Sequence, residues 1–472
     1  MKNSKEIRRL QKTSYKEGWT YDVGVELRDN MGAHSISSAF ENGEDDGKQY
    51  ANNLLEKILD RNNLNLAYKK VVSNKGSHGV DGMKVDELLP YLKQNGESLK
   101  ASILEGTYRP SPVRRVEIPK PDGGKRLLGI PTAIDRMIQQ ATAQILIPIF
   151  ENIFSDSSYG FRPKRDAKQA ILKSKEYIEQ GYKWVVDIDL AKYFDTVNHD
   201  KLMALVAREI KDKRVLKLIR LFLQSGVMIN GIVMETEEGC PQGSPISPLL
   251  GNIMLNELDK ELERRGHKFC RYADDCNIYV RSRKAGERVM KSITKYLEDK
   301  LKLKVNKEKS AVDRPWRRKF LGFTFYQWYG KIGIRVHEKS VAKFKNKIKE
   351  ITKRSNGWSM EHRLLKLRQL IIGWINYFGI ADMVRLVKSL DEWIRRRIRM
   401  CFWKQWKKIK TKYDNLRKLG ATKEKAWEYA NTRKSHWRIS NSPILSTTLT
   451  NVYLEKIGYT SIIISGIIIS IC

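Results

Sequence analysis

Phe269-Cys270-Arg271-Tyr272-Ala273-Asp274-Asp275-Cys276-Asn277-Ile278-Tyr279-Val280 is the stretch that decides how this chain folds. Two short apolar strands meet at Tyr272-Ala273-Asp274-Asp275, which places two adjacent carboxylates at a hairpin tip. Flanked by residues that bury into a sheet, such a pair is a rigid mount for hard cations. Divalent metals held this way clamp the attacking and leaving oxygens of a phosphoryl transfer. Asp is also a common turn residue, so the segment alone equally describes a plain turn, and the rest of the chain must decide.

The 472 residues suffice for two or three domains with cores of their own. A hydrophobic fraction of 41% and 11 Trp indicate a chain that mostly folds. Lys and Arg number 89 against 54 Asp and Glu, a net charge of +35 that predicts a polyanionic partner, nucleic acid first. An anionic membrane competes for that role, but through residue 440 no apolar run is long enough to span a bilayer. The five Cys are scattered without a C-x-x-C pair and the seven His are dispersed, which argues against a structural zinc site or an HNH-type metal nuclease. Met1–Arg9 has no apolar core behind it and is not a secretory signal, so a reducing, cytoplasmic location is expected.

Residues 1–50 are polar and Gly-containing, with an acidic cluster from Glu41 to Asp46, and are expected to be a weakly ordered extension. From Asn53 a helix is expected, with Leu54, Leu55, Ile58, Leu59, Leu64, Leu66, Ala67 and Tyr68 at helical spacing. Val113–Lys120, the Pro121-Asp122-Gly123-Gly124 turn and Lys125–Ile130 alternate as a hairpin. A helix from about Ala133 to Phe154 follows, and Lys183–Leu190 is a β-type run interrupted only by Asp187 and Asp189. Helical text, the Gly239-Cys240-Pro241-Gln242-Gly243 loop and another helix lead to the Asp-Asp hairpin, completing an α+β layer. After about residue 335 the text is all-helical: Val341, Phe344, Ile348 and Ile351 share a face, Leu364–Phe378 marks a second helix and Leu386–Ile398 a third. Residues 331–440 hold 30 Lys and Arg against 9 Asp and Glu, together with seven of the Trp. Basic faces on a packed helical core fit a module that grips RNA or DNA better than a merely soluble bundle, which mixes both signs.

Asp189 ends a buried-type strand, where a carboxylate is costly unless paired or metal-bound. Asp187 shares its strand face, so by geometry either could be a ligand. Four to five residues on, Tyr193 and Phe194 provide a ring able to pack under a nucleotide sugar and exclude a 2′-hydroxyl. Together, Asp189 and the Asp274-Asp275 pair supply carboxylates from two strands, as a two-metal nucleotidyl transfer needs.

At this point the chain resembles the group II intron-encoded reverse transcriptases, also called maturases, over roughly residues 54–440. The resemblance rests on an ordered series: Asn74-Lys75-Gly76 through Val80-Asp81-Gly82-Met83, Ile118–Gly124, Ser158-Tyr159-Gly160-Phe161-Arg162-Pro163 and Asp187–Leu190. Then come Pro241–Pro248, Tyr272–Asp275, Val305–Ser310, Phe320-Leu321-Gly322-Phe323 and Gly373-Trp374-Ile375-Asn376-Tyr377-Phe378. It implies an α+β right-hand polymerase with fingers and palm, followed by an all-helical thumb or maturase X domain. The expected bounds are 1–50 for the extension, 51–180 for the N-terminal segment and fingers, 181–335 for the palm, 336–440 for the thumb and 441–472 for the tail.

The resemblance makes Asp189, Asp274 and Asp275 the catalytic carboxylates and the ligands of two Mg2+, with Mn2+ able to substitute. It singles out Asp189 over Asp187 because Phe194 then falls at the sugar-gate distance, while Tyr193 stays an alternative gate. Lys120 and Arg126 on the fingers hairpin are placed to pair with the triphosphate, or else with the template backbone. Gln242 would contact the incoming nucleotide from a loop leading into a helix, with Ser247 as its N-cap; a structural amide is the alternative. Lys307 or Lys309 could serve as general acid toward pyrophosphate, or be a solvated charge. Phe320, Leu321 and Gly322 would position the primer end, with Gly322 allowing close backbone approach. Lys343, Lys345, Lys347 and Lys349 are expected to bind primer or RNA.

About 35 residues follow Trp437 without a Cys/His cluster, which points to the bacterial type lacking the C-terminal HNH endonuclease. The uncharged Ile-rich tail from Ser461 is too short to span a membrane and has β-prone composition. Expected partners are intron RNA, an RNA template with its DNA primer, target DNA and dNTPs, without a membrane and with a homodimer left open. The expected activity is RNA-directed DNA synthesis that copies the intron for retromobility, coupled to intron binding that promotes splicing. A purely RNA-binding maturase and a domesticated or defence-type reverse transcriptase are the alternatives.

Overall fold

A computed structural model describes residues 53–119 and 124–463. The extension read over 1–50, Lys120 with most of the fingers turn, and tail residues 464–472 lie outside them. The chain divides into two compact units that part between Phe320 and Leu321.

The first unit opens with α1 (Leu54–Ile58) and α2 (Arg61–Ser73) in place of the single helix expected from Asn53. The break falls at Asp60, whose carboxylate accepts from the backbone N–H of Asn62 and Asn63 and so caps α2. One consequence is that Leu66, read as part of the apolar face, is exposed. After α3 (Leu88–Leu104) comes the expected hairpin of β1 (Val113–Pro119) and β2 (Lys125–Ile130), in a register that pairs Pro119 with Lys125. Thr132 caps α4 (Ala133–Glu151), and an Asp166–Gln169 capping box opens α5 (Ala167–Glu179).

Strand β3 (Trp184–Ile188) precedes α6 (His199–Glu209) and α7 (Lys213–Leu223). A short hairpin then joins β4 (Val227–Ile229) to β5 (Ile232–Met234), where only helical text was expected. Asn230 and Gly231, with φ of +51° and +84°, form its turn, and an Asn-Gly pair between apolar triplets is the signal that could have revealed it. The unit closes with α8 (Ser247–Arg264), β6 (Lys268–Tyr272), β7 (Asp275–Val280), α9 (Arg283–Asp299) and β8 (Ala311–Asp313).

Two four-stranded sheets result, ordered β2-β1-β4-β5 and β6-β7-β3-β8. The second is antiparallel throughout, with Asp187 opposite Asn277 and Ile188 opposite Cys276. Leu250, Met254, Leu258 and Leu262 recur every four residues along α8 and are at most 1% exposed, in one core with Phe269 and Ile278. Each contributes about 1.5–3 kcal/mol of burial, so α8 fixes the strands that carry the carboxylates. This α+β layering agrees with the expected fold class.

The second unit begins with the two-stranded hairpin of β9 (Phe323–Trp328) and β10 (Lys331–Val336). It continues through α10 (Glu338–Ile351), α11 (Met360–Phe378), α12 (Val384–Gln405), α13 (Ile409–Lys418) and α14 (Lys423–Ala430) to the short α15 (His436–Ile439), α16 (Pro443–Thr448) and α17 (Asn451–Lys456). The expected faces are buried: Phe344 and Ile348 on α10, Leu364, Leu367, Ile371, Trp374, Ile375 and Phe378 on α11, and Leu390, Ile394 and Ile398 on α12.

Two expected boundaries shift. The β9–β10 hairpin, assigned to the palm through residue 335, belongs with the helices, because Phe323 packs on Tyr377 and Phe378 at ring distances of 5.6 and 4.9 Å. The tail from 441 is likewise integral as far as Ile463. Asp391 of α12, fully buried, accepts from the Tyr459 hydroxyl (2.7 Å), the Ser461 hydroxyl and the Ile462 N–H while pairing with Arg395. No helix among the described residues is long and apolar enough to cross a membrane.

Candidate active site

The β6–β7 turn has two central residues, and the first, Ala273, has φ +55°, in the left-handed region that costs an L-residue about 1–3 kcal/mol. Its surroundings hold it there. Gly160 packs so closely that a Cβ would lie 2.4 Å from the Ala273 nitrogen, which explains a glycine in Ser158–Pro163. Arg271, buried completely, spends all five donors around the turn. It donates to Asp259 through Nε (2.7 Å) and Nη2 (2.5 Å), to the Ser158 hydroxyl through Nη2, and to Asn252 Oδ1 and the Ala273 carbonyl through Nη1, both at 2.9 Å. The motif Ser158–Pro163, helix α8 and the carboxylate hairpin are thereby joined through one guanidinium that sequence reading passed over. An Arg inside an apolar strand was the available signal, since a buried charge demands a partner.

Asp189 stands one step beyond the paired residues of β3, and the Ile188–Cys276 register sets it beside Asp275 at the start of β7. Its backbone is held by the Val305–Ser310 segment: the Asp189 N–H donates to Ser310 Oγ (3.0 Å) and its carbonyl accepts from Asn306 N–H (2.8 Å). Asp187, which sequence geometry could not separate from Asp189, is claimed by Arg318, whose Nε and Nη2 donate to it at 2.8 and 2.6 Å.

The charges around the tip are under-compensated. Burial, and then Asp189, push the Asp274 carboxyl up, against the pull of Arg126 and Arg271. Asp275 keeps contact with solvent, yet the protein packed around it, and then the charges of Asp274, Asp187 and Asp189, push it up to about 7, with Lys319 pulling the other way. Lys319 was not singled out from the sequence, and a Lys beside Phe320-Leu321-Gly322 carried no distinguishing signal. Among the described residues no three His, Cys, Asp or Glu side chains stand close enough to hold an ion as they are.

The expected nucleotide residues separate. Arg126 is exposed on β2 and acts electrostatically on Asp274, while Lys120 is outside the described residues. Tyr193 is a core residue rather than a gate: it is 3% exposed and its hydroxyl donates to the Gly251 carbonyl at 2.7 Å. Phe194, edge-on to Tyr193 at 5.1 Å, is the ring of the two that reaches the surface. The Gln242 carbonyl accepts from Gly129 N–H (2.8 Å), but its side-chain amide makes no hydrogen bond among the described residues, so it does not tie down the loop. Ser247 is the first residue of α8 rather than its cap; Ile246 is the cap, and the Ser247 hydroxyl donates to the Pro241 carbonyl. Lys307 and Lys309 are exposed, and the Lys309 carbonyl accepts from Arg318.

Phe320 is 4% exposed, so its ring is core rather than primer contact. In the second unit Leu321 and Gly322 form a turn with φ of +49° and +86°. The Tyr377 hydroxyl donates to the Leu321 carbonyl (2.9 Å), and Ser340 Oγ and the His337 N–H donate to the Gly322 carbonyl. The close approach at Gly322 is to the Phe378 ring, 3.1 Å from where a Cβ would be, so the glycine serves the fold. The four lysines of α10 do not form one face. At 100° per residue Lys343 and Lys347 share one flank and Lys345 and Lys349 another. The Lys345 ammonium lies 5.9 Å from the Trp393 ring centroid, and the Lys349 carbonyl accepts from Arg397.

Carboxylates at the end of β3 and the tip of β6–β7, with a basic hairpin acting on them, are the layout of a template-dependent polymerase. Residues 118–325 match the family described as reverse transcriptase (RNA-dependent DNA polymerase), and residues 341–420 match the group II intron, maturase-specific domain. Protein YkfC of Escherichia coli (strain K12) is 36% identical over 299 residues, which cover 55% of this chain and 78% of that one. Group II intron-encoded protein LtrA of Lactococcus lactis subsp. cremoris is 29% identical over 412 residues, covering 67% and 68%. The putative COX1/OXI3 intron 2 protein of Saccharomyces cerevisiae is 35% identical over 234 residues, covering 49% and 27%. The chain belongs to the group II intron-encoded reverse transcriptases and maturases, RNA-directed DNA polymerases that carry a maturase domain.

Proposed function

We propose that Asp189, Asp274 and Asp275 are the centre at which this chain copies intron RNA into cDNA, and that its helical unit holds the intron RNA and promotes splicing. The observation that carries the first half is the convergence of these residues on one end of a sheet, where Arg318 pairs with Asp187 while burial and neighbouring carboxylates push Asp274 and Asp275 up. The donor set fits a divalent cation: the carboxylates are hard oxygen ligands, and in Asp274 and Asp275, pushed up by burial and then by neighbouring carboxylates, the charged form would be favoured by an ion. Asp189, Asp274 and Asp275 would hold it, and Mg2+, with Mn2+ as substitute, is the ion we expect. When bound, it supplies Lewis-acid activation of the primer 3′-hydroxyl and neutralises charge on the departing pyrophosphate.

The chain's own residues do the rest. The exposed Arg126 guanidinium pairs with the dNTP triphosphate. Phe194 lies under the sugar, where its bulk excludes a 2′-hydroxyl. The Gln242 amide, unbonded among the described residues, donates to the incoming nucleotide from its anchored loop. Arg271 and Gly160 hold the hairpin rigid, which keeps the reacting groups in register. In the helical unit the surplus of Lys and Arg gives the salt-dependent grip on RNA phosphates. A cytoplasmic location and target DNA as a further partner complete the proposal.

Primer extension on an RNA template with Mg2+ and dNTPs tests the catalytic half; cDNA is expected, and none from a folded protein refutes it. Splicing of the flanking intron RNA at low Mg2+ tests the other half, and an unchanged splicing rate with protein added refutes it.

A further inference from the structure

A cavity of about 510 Å³ opens on the helical unit, between the end of α10, the segment after it, α12 and α15. Its walls include Lys349, Lys353, Arg354 and Arg397, with Thr352 and Trp437 beside them. Four cations line it, and among the described residues none forms a salt bridge, although Glu350 also lies on the rim.

Arg397 is the informative one. Its Nε donates to Thr352 Oγ1 at 2.6 Å and its Nη2 to the Lys349 carbonyl at 3.4 Å, and the guanidinium lies 5.4 and 5.9 Å from the Trp393 and Trp437 ring centroids, so neutral oxygens and indole rings orient it. Burial pushes its pKa down. A half-buried guanidinium with no carboxylate partner among the described residues carries a desolvation cost that an anionic ligand would offset. The same excess of positive charge extends to His436, which stands 3.3 Å from Arg354 Nη1; burial, and then Arg354, Lys404 and Lys412, push its pKa down.

Trp437 adds a second kind of contact. Arg396 lies 3.9 Å from its ring centroid and donates through Nη2 to its carbonyl at 3.1 Å, which fixes the indole while leaving it 36% exposed. Phosphate-binding cations beside a fixed, exposed aromatic ring are the combination that binds single-stranded nucleic acid, one element for the backbone and one for the base. A folded duplex offers phosphates but no unstacked base.

We propose that this cavity receives one unpaired nucleotide of RNA, its phosphate on Lys353, Arg354 and Arg397 and its base against Trp437. The proposal rests on the reading of the helical unit as RNA-binding and gives that reading a site. Trp437 lies beyond the 341–420 segment that matches the maturase-specific domain, so the site draws on residues outside it.

Binding of the full chain to a fluorescein-labelled 20-nucleotide single-stranded RNA, and to a blunt RNA duplex of equal length, is measured across a salt series. Trp437→Ala is expected to weaken single-strand binding about ten-fold and leave duplex binding within two-fold, with Trp437→Phe restoring most of the loss. Lys353→Gln/Arg354→Gln is expected to reduce the slope of log affinity against log salt by about 1 on the single strand. Single-strand affinity unchanged in Trp437→Ala, equal losses on both RNAs, or an unchanged salt slope in the double variant overturns the proposal. A parent that binds neither RNA refutes the wider reading instead, and is a different result from a parent whose variants bind as it does.

Discussion

Replacing Arg271 by Met removes the group that joins the carboxylate hairpin to the core, while keeping volume and apolar packing. Asp259, fully buried and, among the described residues, paired only with Arg271, is then a stranded charge, which costs about 3–5 kcal/mol. Asn252 Oδ1, Ser158 Oγ and the Ala273 carbonyl also lose a charged donor, at about 1–3 kcal/mol each if nothing else reaches them. Because these losses overlap, the expected destabilisation is about 4 kcal/mol or more, a large part of the roughly 5–15 kcal/mol that holds a domain folded. Arg271→Lys should recover little, since an ammonium cannot serve five acceptors held in a plane. Removing both charges with Arg271→Met/Asp259→Leu should recover at least about 2 kcal/mol relative to the single variant, because no carboxylate is left unpaired. Equilibrium unfolding in urea at fixed m-value reads these differences, and single-turnover extension reads whether the hairpin has loosened. The reasoning is refuted if Arg271→Met lies within about 1 kcal/mol of the parent, or if the double variant is no more stable than the single one.

The pKa of Asp275, raised to about 7 against an unfolded value near ~3.9, means this group favours folding most below pH ~4 and that the benefit fades as pH rises through about 7. In EDTA, Asp275→Asn should therefore raise Tm more at pH 8 than at pH 5; equal shifts at both would contradict it. Tyr459→Phe removes a hydroxyl bonded to the buried Asp391 carboxylate and should cost about 1.5–3 kcal/mol by urea unfolding, whereas a neutral result would show that the segment through Ile463 is not anchored there. Phe194→Val should lower the preference for dNTP over rNTP by roughly ten-fold or more in single-nucleotide incorporation, while Tyr193→Phe, which alters only a buried hydroxyl, should leave it unchanged. An unchanged preference in Phe194→Val would remove it as the gate.

The strands at Phe269–Val280 and Trp184–Ile188, the fingers hairpin and the faces of α11 and α12 were legible because each is a local pattern: alternation, a turn signal or a 3.6-residue period. What escaped depends on contacts between distant residues. Asp187 and Asp189 look alike on one strand face, and only Arg318, 131 residues away, tells them apart. Tyr193 and Phe194 are adjacent rings, and the partner that buries the first is Gly251 on α8. The β9–β10 hairpin reads as palm by position, yet aromatic rings on α11 claim it.

The central claim is that Asp189, Asp274 and Asp275 carry the polymerisation and Asp187 does not; Asp189 and Asp274 serve as its test positions. Single-turnover primer extension on an RNA template, with the parent beside Asp189→Asn, Asp274→Asn and Asp187→Asn, tests it most directly. The account predicts a loss of at least about 10²-fold for Asp189→Asn and Asp274→Asn in folded protein, with Asp187→Asn keeping most of the parent rate. Extension within a few-fold of the parent by either of the first two, or an equal collapse for all three, would contradict it.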